Sequence, residues 1–287
     1  MDAPTLLDGL KHHYVAWGVV FGILTCFEVL NAREDHRLKA RLLGIGFWTI
    51  SLLISFAAAV MLALVWQQTG VQPLFTIPGV LAVVGGPVMG AILAALIGAV
   101  AHDFFFYWFH RIQHRWLWRW HAVHHSIERL NAVNSYHHPS EAMISLVVMQ
   151  IPMSLLIGVN GSVSPIVNLV LWCHIVWIHS PTRITLGPLR ALIVDNRFHR
   201  IHHSVEERHF DKNFGAFTTL WDRLFGTCHM PSRDEWPVVG IAEAGEPRGF
   251  GEWVRMPWRL GVDPARANAA ALPDRETLAD VQAAAPA

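Results

Sequence analysis

Residues 42–66 contain no charged side chain, and that single fact limits the fold more than any other. About 20 mainly apolar residues are what a helix needs to cross the hydrocarbon core of a bilayer. In that medium every backbone N–H and C=O must be satisfied within the segment, which a helix does. The run is therefore read as a membrane-spanning helix. Residues 14–30 and about 81–100 are two further candidate spans, the latter rich in glycines (Gly85, Gly86, Gly90, Gly98) that permit close helix packing. Only 15% of the 287 residues are charged and the mean hydropathy is +0.33, where soluble chains carry about 25% charged residues. A net charge of zero gives no nucleic-acid signature. Three isolated cysteines, Cys26, Cys173 and Cys228, support neither a disulfide framework nor a thiolate metal site.

Orientation follows from the basic residues. The first thirteen residues lack the basic start of a secretory signal peptide, so the first span is expected to stay as an anchor. The loop NAREDHRLKAR carries Arg33, Arg37, Lys39 and Arg41, which marks the cytoplasmic side under the positive-inside rule. Three crossings then bring residue 102 back to that side. Arginine outnumbers lysine 19 to 3, as in GC-rich bacterial genomes, so the expected location is a bacterial inner membrane. Residues 143–159 and 163–178 are apolar but short for full crossings, and whether they form a shallow membrane hairpin or two crossings, the chain returns to the same side. The last twenty or so residues are Ala-rich without apolar periodicity and read as a disordered tail.

Directly after the third apolar run comes HDFFFYWFHRIQHRWLWRWHAVHH, with six histidines in 24 residues. On a helix His110 and His114 share a face, as do His121 and His125, with His124 one turn from His121. HxxHH recurs at His199, His202 and His203. Neutral imidazole is the commonest protein ligand for borderline transition metals. A single zinc takes four ligands; eight histidines are enough for two metals that each keep an open position, and open positions mean chemistry. Asp103, seven residues before His110 on the same helical face, is a candidate acceptor for the second ring N–H of a ligand histidine, and Asn196 and Asn213 are weaker candidates for such support. Tyr107 and Phe104–Phe106 read as packing. His12, His13, His36, His209 and His229 read as surface residues, and His137 as pointing outward.

The segments HDFFFYWFHRIQH, WRWHAVHHS, NSYHHPSE, IHS, DNRFHRIHHS and NFGAFTTLWDRLFGT together resemble the fatty acid hydroxylase superfamily, in the branch of sterol desaturases and sphingolipid hydroxylases. The likeness covers about residues 100–227. It implies an all-α polytopic membrane bundle with a cytoplasmic histidine-rich helical cap, and a non-haem di-iron centre that uses O₂ to hydroxylate or desaturate a C–H bond of a lipid. It implies His110, His114, His121, His124, His125, His199, His202 and His203 as iron ligands, with His138 and His179 as two further positions at the metal. Where relatives often have RxHP, this chain has Tyr136-His137-His138-Pro139. The expected division is residues 1–100 as spans, 101–230 as the catalytic region with its hairpin, and 231–287 as an extension. No HPGG-type haem segment occurs, so electrons are expected from a separate ferredoxin or a cytochrome b5-like protein with its reductase. Single oxygen insertion, widespread in the superfamily, favours hydroxylation. The rival reading is a non-enzymatic metal binder or transporter, against which stands the lack of charge within the runs 42–66 and 81–100.

Overall fold

In the computed structural model the structure describes residues 3–31, 33–34, 38–76, 86–158, 164–242 and 244–260. The chain is mainly helical. Three helices are long and apolar enough to cross a membrane: α1 (Ala3–Leu30), α2 (Leu38–Thr69) and α3 (Gly86–Trp116). The first residues of the expected third span, 81–85, and the expected tail lie outside the described residues.

Helix α3 does not end where the apolar run does. It continues through residues 102–116, so the first histidine pair rides on the same rigid rod that forms the third span. At 1.5 Å per residue, no hinge separates the span from the cap. One residue later α4 (Trp118–His125) begins and carries the first HxxHH.

The apolar hairpin is composed of α5 (Glu141–Leu156), with a π-helical segment at Leu146–Gln150, and α6 (Ser164–Trp177). A 14-residue helix spans roughly 21 Å, short of the ~30 Å core. A two-residue parallel pairing, Phe75–Thr76 with Ile157–Gly158, ties the end of α5 to the loop after α2.

Packing divides between the two ends. Among the spans, Trp17 of α1 lies 4.6 Å from Trp48 of α2 and 3.6 Å from Trp172 of α6, ring centre to ring centre. Val19, Ile23, Leu53, Met61, Ile92 and Leu96 project outward, each about half exposed, as side chains facing hydrocarbon do. At the other end, Phe47 of α2 joins Trp118, Val123, Ile127, Tyr136, Val239, Trp253 and Met256 in one apolar cluster. Residues 239–260, including the short helix α9 (Phe250–Arg255), thus close over the histidine segment. Helices α7 (Asn196–His202) and α8 (Leu220–Leu224) complete the cap. The loop after α1 sits against it: Arg33 N donates to Pro181 O, Arg183 N donates to Asn31 O, and Glu34 pairs with Arg200.

Candidate metal centre

Nine buried histidines form two adjoining groups, within each of which the ligand nitrogens lie within 4.8 Å of one another. The first holds His110, His114, His121, His125 and His202; the second holds His124, His179, His199 and His203. All eight histidines of the sequence pattern are present, with His179 as the ninth.

Helical geometry explains how they are shared. Residues four apart lie on one face and residues three apart diverge from it by about a sixth of a turn. In α4, His121 and His125 serve the first group while His124 turns to the second. In the box at α7 the roles swap, His199 and His203 serving the second group while His202 turns to the first. Each HxxHH therefore reaches both groups, and the stacked rings of His125 and His203, 4.4 Å apart, join them. Asp195 caps α7 by accepting from Phe198 N at 2.9 Å, which fixes where that helix begins.

The hydrogen bonds at Nδ1 determine what the facing nitrogens can be. His124 donates through Nδ1 to Tyr136 O (3.1 Å), and His179 donates likewise to Ile175 O (2.6 Å). A neutral imidazole so engaged has a bare lone pair at Nε2. Yet these two Nε2 atoms face each other at 3.1 Å. His110 and His121 repeat the arrangement: Nδ1 donates to Phe214 O (2.8 Å) and to Glu141 Oε2 (3.2 Å), and the Nε2 atoms stand 2.9 Å apart. Two lone pairs at that distance repel unless a cation lies between them, and bonds of about 2.1 Å meeting at right angles on one ion of more than four ligands put neighbouring donors about 3 Å apart. Burial reinforces the neutral form, pressing His124, His125, His199, His202 and His203 well below the ordinary imidazole range and His179 to about 4. Neutral imidazole is the form that binds metal.

Surrounding residues set the rings. Glu141 accepts from His121 and from Gln113 Nε2. Burial would raise its carboxyl, but His137 and His121 beside it bring it below the usual range. Asp103 does not meet a histidine. Its carboxylate accepts from the backbone N–H groups of Ala216, Phe217 and Thr218, while Asp222 holds those of Phe214 and Gly215. Five N–H groups of one loop are thereby fixed, and that loop presents the Phe214 carbonyl to His110. Asn196 bonds Ser180 O and Thr182 O and Asn213 bonds Phe198 O and His229 O, so both support backbone rather than imidazole.

His138 stands apart from both groups, its Nε2 at Val254 O and its Nδ1 at Ser140 Oγ. Its neighbour His137, expected to point outward, instead stacks on His124 at 3.9 Å and adjoins His121 and Glu141. The backbone decides this: Tyr136 is buried with its ring against Phe47, which turns His137 inward. Of the unassigned histidines, His12 is exposed and His36 lies outside the described residues, while His209 is buried. Tyr107 packs on Phe225 and bonds Thr227, as a packing residue does. Glu141, His137 and Asp222 are the contributors that spacing alone did not single out, although HHPSE contains the first two as neighbours of His138.

A cavity of about 610 Å³ adjoins the first group, lined by His114, His125 and His202 together with Trp108, Trp118 and Phe214. No histidine of the second group lines it.

Two apposed groups of buried histidines at the end of a long apolar helix form a site of the histidine-box type that could hold metal ions. Residues 95–227 match the family model described as fatty acid hydroxylase, so this stretch of the chain is a domain of that type. Among curated proteins it is similar to the ornithine lipid hydroxylase of Rhizobium tropici, 32% identical over 156 residues, which is 51% of this chain and 45% of that protein. The alkylglycerol monooxygenase of Danio rerio is 34% identical over 127 residues, 44% of this chain and 28% of that protein. The very-long-chain aldehyde decarbonylase of Oryza sativa is 26% identical over 157 residues, 50% and 24% of the respective lengths. The matches thus span less than half of each relative. No solved structure matches the chain.

Proposed function

We propose that this protein is a membrane-bound non-haem di-iron oxygenase that hydroxylates a lipid. The observation that carries the reading is the facing pair of bare nitrogens in each histidine group, which calls for a cation in both. His110, His114, His121, His125 and His202 would hold one ion, and His124, His179, His199 and His203 the other. Nitrogen donors of this kind suit iron. A pair of irons bound there supplies the capacity to activate O₂ and insert one oxygen atom into an unreactive C–H bond, the electrons coming from a separate ferredoxin or cytochrome b5-like donor.

The chain's own residues provide the rest. Glu141, Phe214 O and Tyr136 O lock the tautomers of His121, His110 and His124. Trp118 and Phe214 give the cavity beside the first group an apolar wall against the histidines. The relatives' names specify an alkylglycerol and a very-long-chain aldehyde, and a mainly apolar cavity fits an alkyl chain. With the loop after α1 packed on the cap, both lie on one side, and the basic residues of that loop support the cytoplasmic face of a bacterial inner membrane. Residues 101–230 would then be the catalytic region and 231–260 its cover.

Metal analysis and an optical spectrum of the purified protein test the reading. About two irons and no Soret band are expected, with iron lost in His124→Ala and His202→Ala. Mass spectrometry of membrane lipids from a deletion strain should show the loss of a hydroxylated species. Full activity in either variant would remove that histidine from the site.

A further inference from the structure

Outside both groups, His209, His229 and Glu235 bring three ligand atoms within 4.8 Å of one another. His209 Nε2 is 3.1 Å from Glu235 Oε1, and His229 Nε2 is 3.3 Å from each carboxylate oxygen. An ion with four ligands at about 2.0–2.1 Å keeps its donors about 3.3 Å apart. His209 is fully buried, and its other nitrogen is engaged by Ser204 Oγ at 2.8 Å, which points Nε2 at the carboxylate. The backbone of His229 is clamped on both sides by the Asn213 side chain, at 2.7 and 2.8 Å. Ser232 N fixes Glu235 Oε2 at 2.8 Å. His209 and Glu235 are thus oriented by partners that are not themselves ligands, as second partners of metal-binding residues are, and His229 is held through its backbone.

Glu235 gathers four N–H donors, from His209, His229, Arg208 and the Ser232 backbone, all within 3.3 Å, so positive charge is already concentrated at this carboxylate.

We infer that His209, His229 and Glu235 form a third metal site, for a single divalent ion of the zinc type. Two imidazoles and one carboxylate suit zinc and leave a fourth position for water, whereas magnesium and calcium require oxygen donors. The ion would join the loop 204–213 to the segment 229–235. Lys212 O, which accepts from His202 Nδ1 at 2.9 Å, belongs to that loop, so the site braces the first histidine group without contributing a ligand to it. Arg208 reaches Glu235 from solvent, with its side chain 61% exposed, and is the cation that a metal would displace.

The test is metal counting on full-length protein loaded with Zn²⁺ and dialysed, comparing wild type with His229→Ala, Glu235→Gln and Arg208→Gln. Wild type should hold one equivalent more than the His229 and Glu235 variants, and Arg208→Gln should retain that equivalent at several-fold lower free zinc. Equal zinc in wild type and in folded Glu235→Gln overturns the site. Should His229→Ala fail to fold, Glu235→Gln, which preserves side-chain shape, decides alone. The inference does not rest on the di-iron reading: failure of the main centre lowers the baseline in all four proteins and leaves the one-equivalent difference intact.

Discussion

His121 shows at the smallest scale how a side chain two steps from the chemistry governs it. Its Nδ1 proton goes to a carboxylate, where His110, His124, His179 and His202 use backbone carbonyls. A charged acceptor makes the ring a stronger donor to metal. Glu141→Gln keeps the shape and removes the charge, so metal affinity should fall about 10- to 100-fold while the protein remains folded. Competition with a chromophoric chelator measures this, and unchanged affinity would mean that Glu141 only fills space. The spacing of the boxes was legible because fourfold helical neighbours must share a face. Choosing between the adjacent His137 and His138 was not: which of two consecutive loop residues faces inward depends on Tyr136 finding Phe47 on α2, a contact 89 positions away that no local pattern encodes.

Between elements, the loop 214–218 carries the coupling of α3 to the cap. Asp103 on α3 and Asp222 on α8 bind its five amides from opposite sides, and Gly215 sits where they converge. A Cβ there would lie 2.6 Å from Thr218 O and 2.9 Å from Asp222 Oδ2. Gly215→Ala should therefore destabilise the protein by about 1–3 kcal/mol, the usual cost of overpacking, and loosen the carbonyl that orients His110. Thermal unfolding together with iron content checks both consequences; a variant as stable as wild type would show that the loop can shift. Spanning helices announced themselves by uninterrupted apolar runs. The cover formed by 239–260 did not, because Val239, Trp253 and Met256 are single anchors without helical or strand periodicity. Asp103 was expected to address a histidine directly because helical phase specifies a face, not which partner occupies it.

For the whole molecule, the joint between spans and cap rests on Glu28 and Arg41. Their side chains pair at 2.7 Å with almost no exposure, and Glu28 Oε1 accepts from Ala132 N at 2.7 Å, so α1, α2 and the loop after α4 meet at one carboxylate. Removing one member of a buried pair strands the other, at about 3–5 kcal/mol. Glu28→Ala should thus be strongly destabilising, while replacing both residues by methionine should cost much less; equal losses would assign the effect to packing instead. Metal removal should act on the opposite half. His110, His121, His124, His179 and His202 turn bare Nε2 lone pairs into the two groups, so stripping the ions leaves repulsion at the centre of the cap while α1 and α2 keep every backbone bond within themselves. Chelation should accordingly speed hydrogen exchange in residues 118–138 and 196–215 and leave α1 and α2 unchanged. Uniform protection after complete stripping would show that hydrogen bonds alone hold these rings, and would remove the physical basis for placing a cation between them.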